Sequence, residues 1–179
     1  MKREIITAAL CAALLSPMVL PARPAEISPV VKVNQLKVQY VQEWRPNATV
    51  PLNSDLQAYV HFISDYYSVP EALILGIIDV ESAFQKNAYS GTCWGLMQIH
   101  EINYQWLWND YHIDAETYKG NIAAGTLIIS QLLAKYGNEH LALMAYNCGE
   151  AGAQELWNEG IYSTSYSWNV LDAAEYWKS

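Results

Sequence analysis

A compact, mostly α-helical domain over residues 53–179 is what this sequence predicts, and three observations carry the prediction. Apolar residues recur at three- and four-residue spacing in successive segments, as the buried stripe of a helix requires. Glycines stand where several of those segments stop, at Gly137, Gly149 and Gly160, and a glycine closes a helix at little steric cost. No alternating apolar and polar run long enough for a strand occurs between residues 53 and 179. A segment of about 125 residues is large enough for a core of its own.

Met1-Lys2-Arg3 opens the chain, Ile5 to Leu20 runs almost without polarity, and Pro21-Ala22-Arg23-Pro24-Ala25 comes next. A basic start, an apolar run and small residues near a cut read as a secretory signal peptide over residues 1–25, so the protein is expected to be exported to the cell envelope or beyond. The competing reading is an uncleaved anchor, because the apolar run is just shorter than a bilayer span. Cys11 follows Leu10 rather than a small residue, so lipidation is not expected. Residues 26–52 carry Pro29, Pro46 and Pro51 without a sustained period and read as an extended arm or linker.

From Asn53 the pattern turns helical. Leu56, Tyr59, Val60, Ile63 and Tyr67 form a stripe behind a cap at Asn53 or Ser54. Ser68-Val69-Pro70-Glu71 matches a capping box with proline in the first turn, opening a helix that runs to about Gln85. A loop is expected over 86–98. Further helices are expected over 101–109, 121–136, 139–147 and 151–159, and from about Ser165 to Trp177.

Composition narrows the function. The formal net charge is −8, and removing residues 1–25 takes away three cations and one carboxylate, leaving −10. Such a surface repels phosphate backbones, so nucleic acid is not an expected partner. The chain holds 13 Tyr and 7 Trp against 2 Phe. That bias suits a groove that stacks on sugar rings and hydrogen-bonds their hydroxyls, although ordinary cores use the same residues. His61, His100, His112 and His140 show no paired ligand spacing and no H-E-x-x-H occurs, so no metal is expected. Ser82 lacks a G-x-S-x-G context, which leaves serine-hydrolase chemistry without support. Trp106, Trp108 and Tyr111 have two open readings, lining a sugar groove or packing a helix.

Glu81 is the residue that points to chemistry. It lies in Ala72-Leu73-Ile74-Leu75-Gly76-Ile77-Ile78-Asp79-Val80-Glu81-Ser82-Ala83-Phe84. Wound at about 100° per residue, Leu73, Ile74, Ile77, Ile78, Val80 and Phe84 gather on one side with Glu81 near the middle of their arc. Asp79 falls on the opposite face. A carboxylate on an apolar face is costly to ionise, so its pKa rises and it stays protonated, the state a general acid needs. The alternative is a helix-end glutamate paired with an arginine or capping a neighbouring loop, and this helix alone leaves both open.

Downstream patches change that balance. Glu81-Ser82-Ala83-Phe84 is followed by Ala88-Tyr89-Ser90, Gly95-Leu96-Met97-Gln98, Asn121-Ile122-Ala123-Ala124-Gly125 and Ala145-Tyr146-Asn147-Cys148-Gly149. Together, over residues 54–177, they resemble the lytic transglycosylase domain of the soluble-lytic-transglycosylase type, a goose-lysozyme-like fold. The resemblance implies a catalytic domain over residues 53–179 with peptidoglycan glycan strands as substrate and no cofactor. It implies Glu81 as the sole acid/base, Ser90 and Gln98 orienting the substrate, Met97 lining the groove, and Tyr146 and Asn147 flanking Glu81. Tyr146 is then expected to donate a hydrogen bond to Glu81. Tyr166, within Tyr166-Ser167-Trp168-Asn169-Val170, looks like the aromatic that begins the family's closing helix.

The implied reaction cleaves the MurNAc-β-1,4-GlcNAc bond and closes a 1,6-anhydro ring on the muramic acid. Most glycosidases use two carboxylates. Here Asp79 points away and Glu101 follows the Gly95–Gln98 loop with no motif around it. Two rivals are a muramidase that hydrolyses the same bond with water, and a catalytically silent peptidoglycan-binding or assembly protein. A monomer is expected, with a cell-envelope machine as a candidate partner. The loop between Ser90 and Gly95 is one residue shorter than the resemblance implies, and Cys148 stands where a small residue such as alanine is common. Because Cys93 and Cys148 both fall in motif loops that this fold gathers at the groove, the resemblance implies a disulfide between them, with two buried free thiols as the alternative.

Overall fold

The computed structural model describes residues 44–178. The expected signal peptide at 1–25 and residues 26–43 of the expected arm lie outside the described residues. Among the described residues six α-helices carry the fold: α1 (Ser54–Tyr67), α2 (Glu71–Ser82), α3 (Tyr104–Tyr111), α4 (Tyr118–Tyr136), α5 (Glu139–Asn158) and α6 (Ser165–Trp177). None of these is long and apolar enough to cross a membrane. The mostly helical class expected from the periodicity is the class observed.

Local chemistry accounts for most of the boundaries. Asn53 caps α1 by accepting from Leu56 N at 2.9 Å, satisfying a donor that the first turn leaves without a partner. Thr117 does the same for α4 from Gly120 N, which starts that helix three residues earlier than expected. The expected capping box at Ser68 does not form. Ser68 is instead the left-handed C-cap of α1, and Pro70 caps α2 without a side-chain bond. The helices expected over 139–147 and 151–159 are the two arms of α5, which bends at Gly149 with φ 74° and ψ 162°. That combination is open essentially to glycine alone, so the residue places the bend.

The expected loop over 86–98 holds a small hairpin. Strands β1 (Cys93–Trp94) and β2 (Ile99–His100) pair antiparallel with Cys93 opposite His100, and a 3-10 turn over Glu101–Asn103 leads into α3. Two-residue strands are too short for a period-2 signal, which is why the sequence did not announce them. The core runs through the middle of the helices, with Ile63, Ile74, Ile77, Ile122 and Ile129 fully buried. Residues 44–52 fold onto α1. Gln57 donates to Val50 O and Leu52 O and accepts from Asn47 N, and Trp44 stacks on His61.

The packing of α2 against α6 sets the position of the Glu81 carboxyl. The helices meet where Gly76 faces the backbone of Val170 and Ala174, so closely that a Cβ at position 76 would lie 2.6 Å from Val170 O. On one side of the crossing Trp177 Nε1 donates to Asp79 Oδ2 at 3.2 Å and the Trp177 ring meets Phe84 edge to face. On the other side Tyr166 reaches Glu81.

Candidate active site

Glu81 occupies the last turn of α2, and the chain leaves that helix abruptly. Ala83 (φ 48°) and Phe84 (φ 62°) are both left-handed, a conformation costing roughly 1 kcal/mol or more for each non-glycine residue. These two residues stop the helix at Ser82 rather than near Gln85. Burying Phe84 against the rest of the core supplies the compensation. The effect is to end the helix one residue beyond Glu81.

The electrostatics of Glu81 come from burial and one partner. Loss of solvent pushes its pKa from an ordinary value near 4.5 up to about 7, and a hydrogen bond from Tyr166 holds the rise back. Tyr166 Oη donates to Glu81 Oε1 at 2.6 Å. The other oxygen, Oε2, has no hydrogen-bond partner among the described residues and is not sealed from solvent. No other carboxylate contributes to the shift. Burial first, and then the negative charge of Glu81, push the Tyr146 and Tyr166 hydroxyls well above the usual phenol range. Both tyrosines therefore remain proton donors at any pH where Glu81 titrates.

The tyrosine assignment is a correction. Tyr146 does not bond Glu81: its hydroxyl donates to Met97 O at 2.9 Å from a fully buried position on α5. It pins the Gly95–Gln98 loop against that helix, while Tyr166 holds the carboxylate. The sequence carried a faint signal for this, a tyrosine in the first turn of the last helix, but only the crossing of α6 over α2 decides which phenol reaches Glu81. Replacing Tyr166 with phenylalanine is expected to raise the Glu81 pKa by roughly 0.5 to 1 unit, because the lost donor favoured the charged form. A carbon-13 NMR titration of the Glu81 carboxyl measures this, and an unchanged midpoint would show that the bond does not form in solution.

The loop residues serve geometry. Gln98 is left-handed at φ 47° and buried. Its amide donates to Gly95 O at 2.8 Å and to Ala88 O at 3.1 Å, and its Oε1 accepts from Ser90 Oγ at 2.8 Å. Ser90 and Gln98 thus clasp the loop to itself, and the Gln98 side chain is buried within it. Met97, expected to line a groove, is fully buried; its sulfur lies against Gly125, where a Cβ would come within 2.5 Å. Asn121, which the sequence motif left without a role, accepts from Met97 N at 2.8 Å and donates to Trp94 O at 2.7 Å. Asn147 is half-buried on α5, one residue beyond Tyr146.

Two other expectations resolve at this end of the fold. The Cys93–Cys148 bridge is not formed, because Cys148 is a free thiol. Its Sγ turns back along its own helix, 3.1 Å from Met144 O, and lies beside Gly152. Cys93 is fully buried in β1. Of the undecided aromatics, Trp106 packs: it bonds Asn103 and meets Tyr111 edge to face. Trp108 is 57% exposed and, with Tyr104, walls an open cavity of about 260 Å³ floored by Ile113 and Ala115. Among the described residues no three His, Cys, Asp or Glu side chains gather as metal ligands.

A helical, lysozyme-like domain with a largely buried glutamate at a helix end, one of its oxygens held by a phenol, is the class this fold and site define. The Transglycosylase SLT domain family matches residues 58–165, more than half of the sequence, and the chain belongs to that family. Among solved structures it is similar to an inactive glutamate-to-glutamine mutant of the lytic transglycosylase Slt from Pseudomonas aeruginosa, at 23% sequence identity and a TM-score of 0.58. That match covers 81% of this chain and 26% of the other, so this chain spans about a quarter of the length of Slt.

Proposed function

We propose that this protein is a peptidoglycan lytic transglycosylase that cleaves the MurNAc-β-1,4-GlcNAc bond with Glu81 as its only acid/base. The observation that carries the reading is Glu81 itself: a buried carboxyl with a pKa pushed up to about 7, one oxygen held by Tyr166 and the other without a hydrogen-bond partner among the described residues. The naming of the Slt mutant as inactive after a glutamate-to-glutamine change supports it. Near neutral pH Glu81 is populated in both protonation states, as a group that must give and then take a proton requires.

The steps balance without water. Protonated Glu81 gives its proton to the glycosidic oxygen, the C1–O bond breaks, and N-acetylglucosamine leaves with its hydroxyl restored. The N-acetyl group of the muramic acid stabilises the electron-poor C1, as in substrate-assisted glycosidases. The Glu81 carboxylate then takes the proton of the muramic 6-hydroxyl, O6 bonds to C1, and the 1,6-anhydro sugar forms with Glu81 protonated again. Tyr166 keeps the Glu81 carboxyl in one orientation throughout. The expected signal peptide over 1–25 fits export to the envelope, where this substrate lies.

Muropeptide analysis of digested cell walls tests the reading. Products carrying 1,6-anhydro ends, one water lighter than reducing sugars, are expected. Reducing ends would transfer the site to hydrolysis, and undigested walls that still bind the protein would make it a binding module. Because the first step needs the acid form, kcat/KM is expected to be flat below about pH 7 and to fall above it. A profile that instead rises through pH 7 would assign the first proton transfer to another group.

A further inference from the structure

We propose that His140 is a positioning residue for the Glu81 carboxyl, acting through Ser167 on the first turn of α6 and hence on the Tyr166 hydroxyl; the inference rests on the catalytic reading of Glu81. Ser167 is fully buried, and every bonding position of its hydroxyl is used. Its Oγ donates to Thr164 O at 3.0 Å, accepts from Thr164 N at 3.0 Å and lies 2.8 Å from His140 Nδ1. A serine hydroxyl has one proton to give. We assign that proton to Thr164 O, which makes His140 the donor to Ser167 Oγ, with its ring proton on Nδ1.

The bond from Ser167 N to Thr164 Oγ1 closes the capping box that starts α6. Tyr166 is the residue next in the chain, and its hydroxyl is the partner of Glu81. The His140 ring is itself seated against Trp168, with centroids 4.4 Å apart. His140 lies in the first turn of α5, the helix that carries Tyr146. One imidazole therefore ties the start of α5 to the start of α6. A phenol hydroxyl sits at the far end of a rigid ring, so a small tilt of that first turn takes it out of hydrogen-bond range of Glu81.

The titratable groups facing Glu81 are Tyr146 from α5 and Tyr166 from α6, and both stay neutral through the range in which Glu81 ionises. With burial of Glu81 kept, its titration midpoint rises when the Tyr166 bond is lost, whether or not the protein is turning over. The test compares the parent with His140→Ala, His140→Asn and His140→Phe by carbon-13 NMR titration of Glu81, by kcat and KM on purified peptidoglycan, and by Tm. His140→Ala is expected to raise the Glu81 midpoint by about 0.5 unit and to lower kcat about 3- to 10-fold with KM nearly unchanged. His140→Asn keeps a donor for Ser167 Oγ and is expected to restore both. His140→Phe keeps an aromatic ring beside Trp168 while removing the donor, and is expected to behave like His140→Ala should that variant fail to fold. A lower Tm with the parental titration midpoint and kcat would make His140 purely structural and overturn the proposal. If the parent itself cleaves nothing, the catalytic reading falls, and the titration alone still decides whether His140 acts on Glu81.

Discussion

Replacing Glu81 with glutamine is expected to reduce peptidoglycan cleavage by about 10³-fold or more, because the substitution removes both the acid of the first step and the base of the second. Glutamine is nearly isosteric, and its carbonyl oxygen can still accept from Tyr166, so the site should keep its shape. Stability is expected to move the other way. The folded-state pKa of Glu81 is about 7 against an ordinary value near 4.5. The protonated form is therefore the one folding favours: the stability it gives is fully present below about pH 4.5 and is lost as pH rises through 7. Glutamine never ionises and escapes that loss. At pH 8 the variant should be more stable than the parent by up to about 3 kcal/mol, with the difference shrinking toward pH 4.5. Wall-clearing rates and urea denaturation at the two pH values measure both effects. A Glu81→Gln protein that clears walls at the parental rate would remove Glu81 from the mechanism.

Gly76→Val is expected to cost about 3 kcal/mol of stability, through overpacking between helices. Helix propensity alone would favour a larger residue here, since glycine inside a helix is about 1 kcal/mol worse than alanine. The contact geometry overrules it. A Cβ at position 76 would lie 2.6 Å from Val170 O, 2.8 Å from Ala174 N and 3.1 Å from Ala174 Cα. All three are backbone atoms and cannot swing aside as a side chain can, so α6 as a whole must retreat. Because α6 carries Tyr166, the same change is expected to break the bond to Glu81 and to lower activity in the molecules that still fold. Thermal and urea denaturation check the first effect and the Glu81 titration checks the second. A parental denaturation midpoint for Gly76→Val would mean that the two helices do not pack this closely.

These two residues show what was readable in advance. Glu81 was legible because its oddity is local: a carboxylate in the middle of a helical apolar arc contradicts the pattern around it, and period and polarity are properties of neighbouring residues. The helices themselves, the Asn53 cap and the break at Gly149 were legible for the same reason. Gly76 drew no attention, since a glycine in an apolar helix says nothing about which backbone it will touch. The hairpin over Cys93–His100 was too short to leave a pattern. Cys93 and Cys148 looked like a pair because both lie in motif loops, but the direction of the Cys148 thiol along its own helix is set by the packing of α5.

By itself, then, the sequence determined the helical class, most helix spans and which carboxyl stands out in an apolar arc. Tertiary structure alone decided that Tyr166 rather than Tyr146 holds Glu81, that Met97 and Gln98 serve the loop from within, and that His140 grips the start of α6. The physical reason is distance along the chain. A helix is written in residues three and four apart, whereas the Tyr166–Glu81 bond joins residues 85 apart and forms only once α6 has been laid across α2.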